Sequence, residues 1–318
     1  VPIPHKTCIP GTAETIKNLM LFFRDGCCTT VEGTTADVLT TAPRGAYTRF
    51  CTVHRDRILY LAEHVTRLRK SLLGMLDDRY VELYHLSIPN MSKHRQEAED
   101  KFTEAFLAEY MIKAADCMLK QIPTGDIRVD VHLSAYEPGF PMFALGTPVP
   151  NQDETKDTVI LERGERRTPT IKDTQWIKER KPLESFLGDT VEEVVLMDDE
   201  GYLYEGISSN FFVLLRRDDG ALVLQTAEDE YVLQGTIRSM VLSTAKDLNV
   251  LVEMSRPRIA DINKWIGVFI TSTTRRVKPI SRVFLDGTTY DFSTDEPSRF
   301  KDAIRQSELN HGSLIATE

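Results

Sequence analysis

The chain has 318 residues, 41% of them hydrophobic and 27% charged, with a formal net charge of −9. That length allows one large or two ordinary domains with a core of useful size, and the acidic balance argues against a nucleic-acid partner, which would want a basic face. It leaves room for a local basic pocket that takes an anion.

No apolar run reaches the length of a membrane span, and no signal peptide is visible. The five cysteines, Cys8, Cys27, Cys28, Cys51 and Cys117, are odd in number and none has metal-like CxxC spacing. They read as reduced thiols in a cytoplasmic compartment, and no metal site is expected. An organellar location is the alternative if a targeting segment has been removed.

In chain order, residues 1–20 carry Pro2, Pro4, Pro10 and Gly11 and read as an irregular arm. Residues 51–61 read as two strands about a turn at 54–57. Leu61, Val65, Leu68 and Leu72 then fall at helical spacing, and residues 92–119 do so again, with Phe102, Phe106, Tyr110, Ala114 and Met118 on one buried face. Ile127, Val129, Val131 and Leu133 alternate with polar residues, as on a half-buried strand. Residues 145–157 hold Pro148, Pro150 and a polar, charged run, and form the best linker candidate. The boundary is placed there, giving domains of 1–146 and 147–318.

In the second half, 158–161 and 194–197 read as strands. Residues 211–215 and 221–225 flank Arg216-Arg-Asp-Asp-Gly220, a hairpin signal. Residues 236–249 read as a helix with Ile237, Val241, Ala245 and Leu248 apolar. A strand at 268–271 runs into Ser272-Thr-Thr274.

Four segments carry chemistry. Glu205-Gly-Ile-Ser-Ser-Asn210 puts one carboxylate at a strand–loop boundary, followed by small hydroxyl residues, Ser208 among them. An acid beside clustered hydroxyls suits a cofactor with a basic ring nitrogen and a phosphate. Arg67, in Glu63-His-Val-Thr-Arg-Leu68, offers a bidentate, charge-assisted contact to an anion. Gly235-Thr236-Ile237-Arg238 opens a helix, where free N–H groups and the positive dipole end favour an anion. Thr271-Ser272-Thr273-Thr274 sets four hydroxyls at a strand end.

The Glu205 segment resembles the signature of the class IV, fold type IV aminotransferases, which include branched-chain and D-amino-acid aminotransferases and aminodeoxychorismate lyases. The other three are similar to that family's H-x-x-R-L, G-I-T-R and S-T-T segments, in the family's order. In the second, the middle pair is exchanged to Thr236-Ile237. Backbone contacts survive that exchange, and a hydroxyl contact from the second position does not. The resemblance runs from about residue 44 to 283.

It implies an α/β (α+β) fold of the D-amino-acid aminotransferase type, a smaller N-terminal domain, a larger C-terminal one, and pyridoxal 5′-phosphate (PLP) between them. It also implies a homodimer. Lys172, 33 residues before Glu205, matches the family's Schiff-base lysine, with Lys178 and Lys181 as competitors in a charged run. Members often carry an Asn-Tyr pair soon after that lysine; here Gln175-Trp176 stands nearer the place. Glu205 is implied as the acid on the ring nitrogen. Arg67, Ser208, Gly235, Thr236, Ile237, Ser272 and Thr273 are implied around the cofactor.

For the substrate the candidates are Tyr47, Arg128, Thr274 and Arg276. Tyr47 matches the aromatic of a Gly-x-Phe/Tyr-Glu segment, with Thr48 where the family has an acid. Arg275-Arg276 stands where relatives often carry an acid, which points to a pocket for a second carboxylate. The implied reaction is amino exchange between an amino acid, of branched-chain or D-amino-acid type, and a 2-keto acid. Glu205–Asn210 leans slightly to the D-amino-acid pattern. The alternatives are a PLP lyase acting on 4-amino-4-deoxychorismate and a PLP-fold protein that has lost turnover. The surroundings of Lys172 and the exchanged Thr236-Ile237 are the main support for the last.

Overall fold

The computed structural model describes residues 19–151, 155–308 and 313–315, so most of the expected N-terminal arm lies outside the described residues. The chain divides into two compact units. The first holds the described residues up to Pro150, the segment Ile171–Lys178 and the C-terminal Ser313–Leu314 strand. The second holds the remainder. The division at Pro150 and Asn151 falls inside the Pro-rich 145–157 segment, after a strand that runs to Pro148.

The first unit is built on a seven-stranded antiparallel sheet. Its order is Ser313–Leu314, Arg57–Ile58, Gly45–Val53, Ile127–Ser134, Met142–Pro148, Met20–Arg24, Cys27–Val31. Alternation along Gly45–Val53 sorts its side chains to two faces. Ala46 and Phe50 enter a core with Val65, Leu68 and Leu72 of the Leu61–Met75 helix. Tyr47 joins a separate apolar cluster with Met20, Leu39, Phe143, Leu145 and Ile177. The Ile127–Ser134 strand is buried on both faces apart from Arg128, so it is more enclosed than its alternating pattern suggested.

The helical stretch expected over 92–119 is two helices, Met91–Lys101 and Glu104–Gln121. The break is local chemistry: Thr103 is extended, and its hydroxyl accepts from the Phe106 amide at 3.2 Å. Restarting the helix resets its phase. Leu107, Met111, Ala114, Ala115 and Met118 are buried, while Phe106 is 40% exposed.

The second unit carries a mixed ten-stranded sheet. Thr158–Arg163 runs parallel to Val191–Met197 and to Arg282–Leu285. Asn210–Arg216 pairs with Leu222–Thr226 in the expected hairpin and with Trp265–Ser272. Its core gathers Val195, Phe211, Val213, Val268 and Ile270. Among the described residues no helix is long and apolar enough to cross a membrane, and no group of His, Cys, Asp or Glu is placed to hold a metal.

Candidate active site

Lys172, Tyr47, Arg67 and Arg128 lie in the first unit; the other expected site residues lie in the second. Each set has its own internal geometry.

Lys172 sits on a short extended segment hung beside the start of the Gly45–Val53 strand. The Tyr47 amide donates to the Lys172 carbonyl, and the Thr174 amide to the Gly45 carbonyl, each at 3.0 Å. The Lys172 amide donates to Ser71 Oγ at 3.0 Å. Gly45 is required here, because a Cβ would collide with the Leu133 carbonyl. The Lys172 ammonium lies 4.7 Å from the centroid of the Tyr47 ring. A cation over a ring face is attracted by the ring's quadrupole, which helps to hold the amine in place.

Arg67, on the Leu61–Met75 helix, is 9% exposed. Its Nη2 donates to Thr48 Oγ1 at 2.8 Å and lies 3.0 Å from His64 Nδ1. Thr48 and His64 are fully buried, and neither is a carboxylate. Among the described residues Arg67 has no carboxylate, and its Nε has no partner at all. Burial pulls its pKa down to about 10, opposed by Tyr47. At neutral pH the guanidinium is therefore charged, buried and lacking a counter-ion, which is costly unless a ligand brings an anion.

Arg128 shares a sheet face with Tyr47, Arg49 and Asp130 through the pairs Tyr47↔His132, Arg49↔Asp130 and Cys51↔Arg128. Arg49 Nε donates to Asp130 at 2.8 Å, and Arg128 Nε lies 3.9 Å from the same carboxylate. Burial, then the Arg49 charge, lowers the Arg128 pKa.

In the second unit, Glu205 ends the Leu203–Gly206 strand and is 4% exposed. Oε2 accepts from the Leu233 amide at 3.0 Å and from Asn210 Nδ2 at 3.3 Å. Oε1 faces Arg166 Nη1 at 3.4 Å. Asn210 also donates to the Leu233 carbonyl at 2.8 Å, tying the Glu205 loop to the stretch before Gly235.

Gly235 caps the Thr236–Asp247 helix without a side-chain cap, so the first-turn amides are not taken by a cap hydroxyl. A Cβ at Gly235 would strike the Asn210 side-chain oxygen, so only glycine allows this approach. Thr236 and Ile237 are buried in that first turn, and Thr236 Oγ1 lies 3.5 Å from Thr273 Oγ1. Ser272 Oγ accepts from the Arg275 amide at 3.2 Å, so Ser272, Thr273 and Thr274 form the turn after the Trp265–Ser272 strand.

The Ser208 hydroxyl donates to Glu193 at 2.6 Å and accepts from Arg275 at 2.9 Å. Its neighbour Ser209, 6% exposed, has a buried hydroxyl with no protein partner among the described residues. Arg275 is paired with Glu192 and Glu193, and Arg276 with Glu308.

His64, Arg166, Ser209 and Asn210 were not singled out from sequence, and Thr48 was noted only as standing where the family has an acid. Asn210 and Ser209 stood in the quoted Glu205 segment, so a signal existed. Arg166 sits in the charged stretch Glu162–Arg167, which reads as a solvated face, and only the fold buries it.

The chain matches the family model described as amino-transferase class IV over residues 46–283. No curated protein sequence matches it. Similar solved structures include a branched-chain aminotransferase with norvaline from Thermoproteus uzoniensis, with a TM-score of 0.65, 16% identity, and coverage of 94% of this chain and 100% of that one. Another is a putative branched-chain amino acid aminotransferase from Thermotoga maritima, with TM-score 0.64, 18% identity and coverage of 92% and 96%. A third is a hypothetical aminotransferase from Mycobacterium tuberculosis in its PLP-bound form, with TM-score 0.59, 15% identity and coverage of 92% and 99%.

Proposed function

The chain belongs to the class IV aminotransferases, transaminases that work with PLP, and on that premise we propose which residues carry the reaction and what it acts on. The observation that carries the assignment is Arg67: a buried guanidinium with no carboxylate partner among the described residues and an orphaned Nε. That site fits a phosphate; within the second unit, the uncapped helix start at Gly235 and the Ser209 hydroxyl each suit an anion in their own right. Glu205 fits the ring nitrogen, where its carboxylate would hold a proton.

PLP supplies an electron sink that stabilises charge at the substrate α-carbon. Lys172 would hold the cofactor through its Nζ and would carry a proton on that same atom. Tyr47 orients that amine through its ring face. Thr236 and Thr273, with Ser272 and the first-turn amides, would offer hydroxyls and N–H groups to an anion. Arg128 in the first unit and Thr274 in the second are each a candidate to bind a substrate carboxylate. Arg276 would do so only after leaving Glu308.

The amino donor is an amino acid with an apolar side chain. Support for a branched aliphatic group comes from the likeness to branched-chain aminotransferases. The hand of the donor is a second question, since Glu205–Asn210 leans to the D-amino-acid pattern. The enzyme is proposed to act as a homodimer in the cytoplasm. No disulfide joins the described cysteines, in keeping with that compartment.

Absorbance of the protein with PLP, followed against L- and D-amino acids, tests the substrate class. Bleaching of the yellow band by aliphatic amino acids is expected, and the active enantiomer sets the hand. Release of pyruvate from aminodeoxychorismate without a keto-acid acceptor would establish the lyase instead. Borohydride reduction followed by peptide mass should place the adduct on Lys172; an adduct on Lys178 or Lys181 would reject that assignment. Light scattering reads the oligomer, and cell fractionation reads the compartment.

A further inference from the structure

Asp173, directly after the proposed cofactor lysine, is 2% exposed and unusually well held. Its Oδ2 accepts from Arg44 Nε at 3.0 Å and Nη2 at 2.6 Å, and from the Tyr80 hydroxyl. Its Oδ1 accepts from the Gln175 amide at 2.9 Å. Arg44 is itself fixed: its guanidinium lies 3.8 Å from the Tyr84 ring centroid and 5.2 Å from that of Tyr80, and Nη2 donates to the Tyr80 hydroxyl at 2.6 Å. Burial opposes charge on Arg44, yet the hydrogen bond to Asp173 wins and its pKa is raised. Tyr80 is pushed up by burial and then by Asp173.

The backbone explains why this matters for the next residue. The 172–174 segment pairs with the start of the Gly45–Val53 strand through the bridge Ala46↔Asp173. Along an extended segment successive side chains point to opposite faces. Anchoring Asp173 on one face therefore sets the direction of Lys172 on the other, where its amine meets the Tyr47 ring. Lysine has four rotatable bonds, and a swinging segment beneath it would add to that freedom. A buried, bidentate pair with a phenol on the same oxygen removes the swing at its root.

We propose that Asp173, clamped by Arg44 and Tyr80, is a positioning residue that aims the Lys172 amine. This rests on the reading of Lys172 as the cofactor lysine. The test uses the full chain with Asp173→Asn, Arg44→Met, the double variant and Tyr80→Phe. In the single and double variants kcat should fall about 100-fold, as a misplacement near 1 Å would produce, with KM within about twofold. The losses should be non-additive, since both changes undo one clamp.

In the cofactor-free proteins, amide exchange at Lys172 and Thr174 should speed by more than about tenfold while the rest of the sheet keeps its protection. Tyr80→Phe keeps the ion pair and should shift both readouts the same way by less, which covers the case that Asp173→Asn does not fold. Borohydride mapping of the wild type separates the two ideas. An adduct on another lysine overturns the Lys172 assignment and the aiming role with it. An adduct on Lys172, with kcat and local exchange unchanged in folded Asp173→Asn or Tyr80→Phe protein, overturns the clamp alone. A lowered melting temperature with unchanged kcat would mean a purely structural ion pair and also overturns it.

Discussion

Arg67 in the first unit and Glu205 in the second are both buried ions, and they are treated in opposite ways. Glu205 has Arg166 at 3.4 Å and two N–H donors, so its charge is balanced within the fold. Arg67 has a threonine, a histidine and an orphaned Nε. A charge left without a partner raises the energy of the empty protein, and binding an anion recovers that cost. A charge already paired stabilises the fold and is also available to a ligand. On the proposed assignment, Arg67 is kept for what the cofactor brings, and Glu205 would serve structure and chemistry together.

The contrast can be broken at several points. Lys172→Ala should have the largest effect, lowering turnover by about 10⁴-fold, because it removes both the attachment and the proton carrier. Circular dichroism should show the fold unchanged. Glu205→Ala should cost about 3–5 kcal/mol of stability in the cofactor-free protein, because it takes the carboxylate from the buried Arg166, which is 7% exposed, and the acceptor from the Leu233 amide. Denaturant unfolding reads this, and a change under about 1 kcal/mol would show that the pair is not a stabilising one.

Arg67→Met should go the other way in the same assay. The cofactor-free protein should be as stable as wild type or more so, since an unpaired buried charge is gone. PLP affinity should fall about 10- to 100-fold, the worth of a charge-assisted hydrogen bond. Fluorescence titration measures it, and destabilisation without loss of affinity would reverse the roles assigned to the two ions.

The smallest expected effect concerns His132, in the same sheet as Tyr47. Burial lowers its pKa from 6.5 to about 4, opposed by the Pro43 carbonyl. The unfolded chain binds this proton more readily between those values, so stability falls as pH drops through them. From pH 7 to 5 the loss should be about 2 kcal/mol, present in wild type and reduced in His132→Phe. A pH profile of chemical denaturation that is the same in both would remove His132 as the cause.

Local periodicity made much of the fold legible. The Leu61–Met75 helix, the Ile127–Ser134 strand and the Asn210 to Thr226 hairpin follow from side-chain spacing and turn residues. The helix over 92–119 was read as one because Phe102 and Phe106 fit a single apolar stripe, whereas the Thr103 cap breaks it. The site was legible where a motif is continuous, as at Glu205–Asn210. It was not legible at Arg166 or at the Arg44–Asp173 pair, whose members are 129 residues apart.

By itself the sequence determined the elements and the residue types present: an acid beside hydroxyls, an arginine on an early helix, a glycine before a late one. These depend on contacts a few residues apart, which spacing encodes. Only tertiary structure decided the state of each charge. Arg67 was left without a carboxylate, Arg275 and Arg276 were paired with Glu192, Glu193 and Glu308, and Ser208 was occupied while Ser209 was not. Whether a charge is spent within the fold or kept for a ligand depends on which distant segments enclose it, because burial and pairing arise from segments brought together across the chain.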